Sequence, residues 1–453
     1  MVNRLSSRKA FPVFLAFYAV CLVSLVSKLS LWLDEIVDLI GIRDYDFVRL
    51  IAWVPVNAGG VPLGYLTRFA TIHLFGYSIF AARLPSVLFS LLAGWGIFVL
   101  GRRLKLRFPL LPVLIFCAAP LQFRYALESR PYSLALALSI WATVVFLDLL
   151  EATSLWRVSM YCVLVLLGLY TMPYTVFVPG AHVVWLCFAA GQPNRSRVLL
   201  VSGVSIMLAA LGFLPWFIWT AHVWGRSVTD EHLRYTIGPK AALLISRELV
   251  GAGYVGTAII AGLAWFGFKD GVRDYAARLF WLLYTVMPVV LAVAADVMFG
   301  YFLAIRQVIF VLAPLSLMAA LGIERLAVSR RRAAAAVCSL LVAVFLVADV
   351  RFFLRPREDW DAASRILRTL AAQGSCIAFE PPRSMELYRF FVPELANDQC
   401  SGKIASGRSV AVAVSPYGAG AESGLETKLS SNGFTNIRQF NPRGPRIELY
   451  QRK

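Results

Sequence analysis

The sequence is poor in charged residues, which make up 15% of its 453 positions, whereas hydrophobic residues make up 59%. Its mean hydropathy is +0.69. This composition excludes an ordinary soluble globular protein, whose surface needs more polar residues than this chain supplies. Lipid is therefore the solvent that most of the chain meets.

Histidines and phosphate-binding loops are also scarce. The chain has only four histidines, none at the spacing of a metal site, and no Walker loop, which argues against ATP-driven transport. Residues 251–256 match the dinucleotide-binding pattern, but they lie in an apolar stretch with no preceding strand, so we interpret them as small-residue helix packing. We interpret the histidines as packing or polar lining: His73, His182, His222 and His232.

The net charge of +18 is spread along the chain between its apolar segments. Lysines and arginines occur in small groups between them, whereas a nucleic-acid-binding protein collects them on one soluble face. We therefore predict no nucleic-acid partner. If the N-terminus is cytoplasmic, these groups fall on the cytoplasmic side at alternate connections, as the positive-inside rule requires. The groups lie within residues 102–107, 195–197, 269–278 and 325–332.

Residues 1–350 are predicted to form a transmembrane domain. A span needs about 20 apolar residues, and we predict about eleven spans, the first of them an uncleaved helix. They cover residues 11–30, 79–101, 108–123, 132–150, 157–172, 174–190, 198–220, 241–267, 279–298, 305–323 and 333–350. The short loops indicate a multi-pass protein of the plasma membrane, of the bacterial inner-membrane type.

Two segments are predicted to lie outside the membrane on its extracytoplasmic side. Residues 30–78 mix acids, arginines and apolar residues, which is typical of helices lying along the interface. Residues 351–453 alternate helix-type and strand-type patterns and are predicted to form a small α/β domain. Its predicted helix covers residues 359–372 and stops at Gly374, and its predicted strands lie at residues 376–379, 410–414 and 446–450. In that oxidising setting Cys376 and Cys400 either form a disulfide or remain two buried thiols.

Charged residues at the outer ends of predicted spans are the candidate functional residues, because they are costly beside a membrane unless paired or solvated. Asp34 and Glu35 follow the first span, and Arg306 begins the tenth. The turn between the third and fourth spans carries Glu128 and Arg130, followed by Tyr132. All fall on one face of the predicted topology, so we predict one shared site.

Four short stretches resemble the membrane-embedded GT-C glycosyltransferases, in particular the bacterial protein mannosyltransferase and aminoarabinose transferase group. The resemblance covers roughly residues 30 to 325, and the order of the stretches is more specific than any single one. The stretches are residues 76–86, Gly101-Arg102-Arg103-Leu104, Glu128-x-Arg130-x-Tyr132 and Leu214-Pro215-Trp216. The chain departs from the family pattern at Gly60-Val61-Pro62 and Tyr170-Thr171-Met172.

The resemblance implies that Asp34 is the catalytic carboxylate. Transfer of a sugar from a lipid phosphate needs a base beside the incoming nucleophile, and a carboxylate can serve. Arg130 and Arg306 are candidates for binding the phosphate as it gains charge. Glu35, Glu128 and Tyr132 complete the predicted substrate-binding set. A divalent metal on the acids is an open alternative, and no other cofactor is predicted.

The resulting prediction is a polytopic GT-C-like enzyme that transfers a sugar from a polyprenyl-phosphate donor to a lipid, glycan or protein acceptor at the outer face, with inverting chemistry. Its alternatives are a non-enzymatic lipid or solute transporter or flippase, and a scaffold with an inactive membrane part. At the residue level, solvated interfacial acids, a structural Glu128–Arg130 pair, a snorkelling Arg306 and an interface Tyr132 also remain open.

Overall fold

The computed structural model describes residues 2–57, 60–189, 192, 194–227, 239–272, 274–299, 304–355, 358–398, 400, 409–416 and 424–452. These residues divide into two compact units. We call Met1–Val26 with Tyr45–Arg351 the membrane unit, and Ser27–Asp44 with Phe352–Lys453 the second unit. A short piece of the predicted first loop is therefore part of the same unit as the C-terminal domain.

Helices dominate the described residues. In chain order they are α1 (Val2–Leu25), α2 (Leu33–Asp44), α3 (Phe47–Trp53), α4 (Pro62–Phe75), α5 (Ile79–Arg103), α6 (Leu110–Ala118), α7 (Pro120–Ala126), α8 (Tyr132–Glu151), α9 (Leu155–Thr171), α10 (Phe177–Phe188), α11 (Arg195–Ser227), α12 (Pro239–Val250), α13 (Gly253–Phe266), α14 (Tyr275–Phe299), α15 (Leu312–Ser329), α16 (Arg331–Leu354), α17 (Trp360–Ala372), α18 (Met385–Arg389) and α19 (Gly424–Ser431). Short 3-10 turns cover Pro173–Val176, Ile305–Val311, Pro382–Ser384 and Pro393–Asp398, and a π turn covers Gly267–Gly271.

The predicted polytopic helical membrane fold is confirmed. Among the described residues, six helices are long and apolar enough to span a membrane, and a bent pair would make a seventh. The six are Ile79–Arg103, Tyr132–Glu151, Arg195–Ala221, Tyr275–Met298, Ile305–Ser329 and Arg331–Leu354, and shorter apolar helices are Lys9–Leu25, Leu155–Thr171 and Pro173–Phe188. The count of about eleven spans stays a prediction.

Two predicted spans are broken rather than straight. Residues 108–123 divide into α6 and α7, because Ala119 precedes Pro120 and takes the extended conformation that a following proline favours. Residues 241–267 divide into Ala242–Val250 and Gly253–Lys269, which meet at 91°. Gly251 has φ +75° at this bend, and a Cβ on it would press on Pro120. The motif therefore includes a bend at Gly251 that was not predicted, while a Cβ on Gly256 would lie 3.3 Å from Val344 of α16, in line with its interpretation as small-residue helix packing.

Helices α5 and α8 run in the same direction. They pack against each other, and their last turns are joined by an ion pair between Arg103 and Asp148. Arg103 also lies 3.5 Å from Glu151. The first turns of both helices therefore lie together at the opposite end of this pair.

The end of α13 and the π turn after it pack against α15 at two glycines. A Cβ on Gly267 would overlap the carbonyl oxygen of Met318, and one on Gly322 would overlap that of Leu263. Only glycine allows the two backbones to approach this closely, which is a common way for helices to pack in lipid.

The second unit contains a four-stranded sheet and confirms the predicted α/β domain. Its strands are β1 (Cys376–Glu380), β2 (Ser409–Val414), β3 (Phe434–Phe440) and β4 (Arg446–Arg452), in the order β1-β2-β4-β3. The β1–β2 pair is parallel, with Cys376 opposite Val410, and the other two pairs are antiparallel.

The helix α17 covers this sheet with one apolar face. Its buried residues Trp360, Ala363, Leu367 and Leu370 recur at helical spacing, and Asp359 caps the first turn by accepting from the Ala362 N–H at 3.0 Å. A buried core beside the sheet includes Val410, Val412, Phe434 and Tyr450 of the strands and Leu429 of α19. Cys376 and Cys400 form a disulfide with 5.4 Å between their Cα atoms, within the usual range.

Candidate functional site

Two predicted cations of the membrane unit lie against the same aromatic ring. The guanidinium carbon of Arg130 and that of Arg306 are each 5.8 Å from the centroid of the Tyr132 ring. Tyr132 is buried at the start of α8, and both arginines are half-buried. We call Glu128, Arg130, Tyr132 and Arg306 the arginine corner. A ring face attracts cations, and two guanidiniums beside it create a place where an anion is favoured.

The turn that carries Glu128 and Arg130 is tied to the first turns of α5. The Ser86 hydroxyl donates to the carbonyl oxygen of Glu128 at 2.7 Å and lies 3.2 Å from that of Arg130. The Ser129 hydroxyl donates to the carbonyl oxygen of Ala82 at 3.0 Å. Two of the stretches that carry the family resemblance are therefore in direct contact.

Arg68 on α4 holds the same turn from another side. It is 2% exposed, and its Nη1 donates to the carbonyl oxygen of Ser129 at 2.7 Å. Its Nε donates to the carbonyl oxygen of Gly64 at 2.8 Å, and its guanidinium lies 4.7 Å from the Tyr65 ring. Neither Arg68 nor Ser86 was singled out from the sequence. Ser86 closes residues 76–86, but Arg68 is an isolated charge in an apolar stretch and gives no motif.

Arg306 lies on the 3-10 turn Ile305–Val311, whose start is fixed by a reciprocal pair of bonds. The Gln307 backbone N–H donates to the Ala304 carbonyl oxygen at 2.9 Å, and the Gln307 side chain accepts from the Ala304 N–H at 3.0 Å. This arrangement fixes the backbone on both sides of Arg306. Tyr301, another predicted aromatic of this region, lies outside the described residues.

A third group of family-like residues also meets in the membrane unit. The Trp216 indole N–H donates to the carbonyl oxygen of Gly60 at 3.2 Å, and the Tyr170 ring lies 6.4 Å from the Trp216 ring. Tyr170 donates its hydroxyl to the carbonyl oxygen of Gly212 at 2.9 Å. The element around Trp216 thus contacts both places where the sequence departs from the family pattern.

The predicted catalytic acid lies in the second unit, in the first turn of α2. Asp34 is half-buried, whereas Glu35 is 0% exposed and Asp38 is 2% exposed. Acids in the first turn of a helix are stabilised by its unpaired N–H groups and its dipole. The sequence therefore places carboxylates where this short helix favours them.

The described histidine side chains, those of His182 and His73, contact polar groups of the fold. His182 is buried, 3.0 Å from the Tyr161 hydroxyl and 3.2 Å from that of Thr143, and His73 lies 2.9 Å from the Phe69 carbonyl oxygen of its own helix. The His222 side chain and His232 lie outside the described residues. Within the described part of the chain, no group of three or more histidines, cysteines or acids is placed to hold a metal. A divalent ion at Asp34 and Glu35 stays a prediction.

The six predicted site residues fall into two sets. Arg130, Tyr132 and Arg306 are brought together in the membrane unit, with Glu128 buried in the same turn. Asp34 and Glu35 belong to the second unit. That both sets act on one substrate stays a prediction.

Comparison with known proteins identifies the fold. No family model and no curated protein matches the sequence. ArnT from Cupriavidus metallidurans in its apo state has a TM-score of 0.63 at 13% identity, with 98% of each chain covered. The same protein bound to undecaprenyl phosphate has a TM-score of 0.62 at 12% identity, covering 97% of this chain and 98% of that one. ArnT is an aminoarabinose transferase of the GT-C family, so the predicted GT-C-like fold is confirmed.

Proposed function

We propose that this chain is a glycosyltransferase that moves a sugar from a polyprenyl-phosphate donor to a lipid, glycan or protein acceptor at the outer face of the membrane. The observation that carries the proposal is the arginine corner, where Arg130 and Arg306 converge on Tyr132 from distant parts of the sequence. The fold adds support, because a similar protein has been solved with undecaprenyl phosphate bound.

The chemistry assigns a role to each set of residues. Asp34 accepts the proton of the acceptor hydroxyl or amine, whose oxygen or nitrogen attacks the anomeric carbon. The bond between that carbon and the phosphate oxygen breaks, and the electron pair leaves with the polyprenyl phosphate. Attack opposite the leaving group inverts the anomeric centre.

The arginine corner stabilises the leaving phosphate. Its negative charge grows as the bond breaks, and guanidinium groups bind phosphate oxygens through paired N–H donors. Arg130 and Arg306 supply those donors, with Glu128 orienting Arg130 or binding the acceptor. Glu35 contributes to substrate binding beside Asp34. Preorganised donors of this kind contribute about 3–4 kcal/mol each in enzymes.

The orientation of α5 supports an outer-face site. The arginine corner is tied to the first turns of this helix through Ala82 and Ser86, and its last turn carries Arg102 and Arg103. Basic residues at span ends favour the cytoplasmic side. The arginine corner, at the other end of the same 25-residue helix, is then extracytoplasmic.

The test is transfer of a labelled sugar from polyprenyl phosphate by the full chain in proteoliposomes. Asp34→Asn should lower the rate by about 10²–10⁴-fold, the usual contribution of a general base. Asp361→Asn, in an exposed ion pair with Arg365 in the same unit, is the matched control and should leave the rate unchanged.

Two results would contradict the proposal. Equal transfer by the wild type and Asp34→Asn would remove Asp34 as the base. No transfer by the wild type with any polyprenyl-phosphate sugar, together with measurable lipid or solute flux, would identify a transporter.

A further inference from the structure

The first backbone N–H of the helix that carries Asp34 donates a hydrogen bond to a side chain 325 positions away in the sequence. The backbone N–H of Leu33, the first residue of α2, donates to Glu358 Oε2 at 2.8 Å. The Trp360 indole N–H donates to the same oxygen at 2.5 Å. Glu358 is 4% exposed, so the Leu33 and Trp360 N–H groups are among the partners of an enclosed carboxylate.

A carboxylate at this point does for α2 what a capping side chain does for other helices. The N–H groups of the first turn have no partner within the helix, and an acid satisfies them and matches the positive end of the helix dipole. In most helices the cap comes from the residue just before the first turn. Here it comes from a residue 325 positions away.

Glu358 is itself fixed by the sheet side of the second unit. The neighbouring Asp359 N–H donates to the Arg443 carbonyl oxygen at 2.8 Å, in the turn before β4. A Cβ on Gly444, which has φ +84°, would lie 2.8 Å from the Glu358 Cγ. The close approach of this turn limits where the Glu358 side chain can lie.

The far end of α2 is held by the same domain. The Arg43 guanidinium lies 4.9 Å from the Phe390 ring, and its Nη1 donates to the Phe390 carbonyl oxygen at 3.4 Å. Both ends of the helix therefore contact the C-terminal segment, the first turn through Glu358 and the last through Arg43.

We propose that Glu358 is a positioning residue for Asp34. By accepting from the Leu33 N–H, it fixes the Trp32–Leu33 peptide, one residue before Asp34, and so sets where the Asp34 carboxylate lies. The C-terminal domain is then part of the catalytic apparatus without contacting the substrate through Glu358. This inference rests on the proposed function, because that function gives Asp34 the catalytic role that Glu358 supports.

The test compares Glu358→Ala with Glu358→Gln in the full chain. Alanine removes the acceptor, so kcat should fall by about 100-fold, the loss expected when a reacting group is misplaced by about 1 Å, with the donor KM changed little. Glutamine keeps an acceptor oxygen at the same reach and should restore most of the rate. Asp361→Ala, three positions away and exposed, is the control and should keep the wild-type kcat.

Hydrogen exchange supplies a readout independent of sugar transfer. In Glu358→Ala the amides at the start of α2 should exchange faster, while those of α17 and the sheet should keep their protection. Glu358→Gln should exchange like the wild type. A global rise in exchange in Glu358→Ala would mean that the domain unfolds. In that case two other variants test the positioning role. They are Glu358→Gln, which keeps the acceptor oxygen, and Arg43→Ala, which releases the other end of α2. If Glu358 positions Asp34, Arg43→Ala should also lower kcat while Glu358→Gln does not.

The outcomes separate the two proposals. If the wild type transfers no sugar, the proposed function fails whatever Glu358 does. If the wild type is active and Glu358→Ala keeps its kcat with a folded domain, the positioning role is wrong. A loss of rate in Glu358→Gln equal to that in Glu358→Ala would also overturn it, because the acceptor oxygen would then not be what matters.

Discussion

The arginine corner and the helix α2 are supported in different ways. The corner is held by neighbours in the membrane unit, with the Ser86 and Arg68 bonds spanning 42 and 61 positions. The start and end of α2 are held by residues 325 and 347 positions away. The binding half of the proposed site is thus built within the membrane unit, whereas the acid depends on the C-terminal domain. Damage to that domain should affect catalysis more than donor binding.

Among the variants that test this comparison, those of the arginine corner should give the largest effect. Arg306→Ala or Arg130→Ala should lower transfer by about 10²–10³-fold, because each removes a donor to the phosphate as its charge grows. Affinity for polyprenyl phosphate, measured by its inhibition of transfer, should fall as well. Arg332→Ala removes an exposed arginine at the start of α16 and should change neither quantity. Wild-type affinity in both corner variants would show that the phosphate binds elsewhere.

A smaller loss is expected when the corner keeps its charges but loses its support. Ser86→Ala removes the hydroxyl that donates to the carbonyl oxygen of Glu128, and a hydrogen bond of this kind contributes about 0.5–1.5 kcal/mol. Transfer should fall about tenfold, mainly through the donor KM. Thr67→Ala, which removes a bond within α4, is the control. A loss confined to kcat would indicate that the turn acts on the acid instead.

Removing the disulfide tests the same comparison by weakening the second unit instead of the arginine corner. Cys376→Ser with Cys400→Ser should destabilise the second unit by about 2–4 kcal/mol, because the unfolded chain loses a crosslink over 24 positions. Pulse proteolysis should detect this, and polyprenyl-phosphate affinity should stay near that of the wild type. Cys187→Ser, an exposed thiol of the membrane unit, should leave both unchanged. A loss of polyprenyl-phosphate affinity as large as the loss of domain stability would contradict the claim that the arginine corner and α2 are supported separately.

The smallest effect concerns pH. Burial, together with the nearby carboxylates of Glu448 and Glu426, raises the pKa of Glu380 at the end of β1. A raised pKa means that the folded state favours the protonated form, so the stability it contributes is present at low pH and is lost as pH rises through the folded pKa. Glu380→Gln should flatten this dependence of the second unit's unfolding midpoint. If the unfolding midpoint of Glu380→Gln declined more steeply than that of the wild type as the pH is raised, the pKa of Glu380 would not be raised in the folded state.

The sequence predicted elements where local pattern and burial agree. The apolar residues of α17 recur at helical spacing, and the prediction of a helix ending before Gly374 was confirmed. The strand β3 was missed because most of its side chains are exposed, so neither alternation nor an apolar run marks it. The bend at Gly251 was missed because an apolar stretch with glycines also fits one straight helix.

The site was predictable only in part, for a physical reason. Their place at the outer ends of predicted spans pointed to Arg130 and Arg306, and their convergence on Tyr132 fits one anion site. Arg68 and Glu358 could not be found this way. Each acts by a hydrogen bond to a backbone atom, Ser129 carbonyl or Leu33 amide, that carries no side-chain signature. A hydrogen bond between a side chain and a distant backbone atom produces no sequence spacing from which it could be predicted.

The central claim is that the acid of α2 and the arginine corner act on one donor. A cryo-EM structure of Asp34→Asn with a polyprenyl-phosphate sugar bound would test it most directly. The proposed function predicts the phosphate oxygens at about 2.7–2.9 Å from the guanidinium nitrogens of Arg130 and Arg306, and the residue-34 side chain within reach of the acceptor side of the anomeric carbon. A phosphate bound away from both arginines, or a sugar separated by lipid from residue 34, would contradict it.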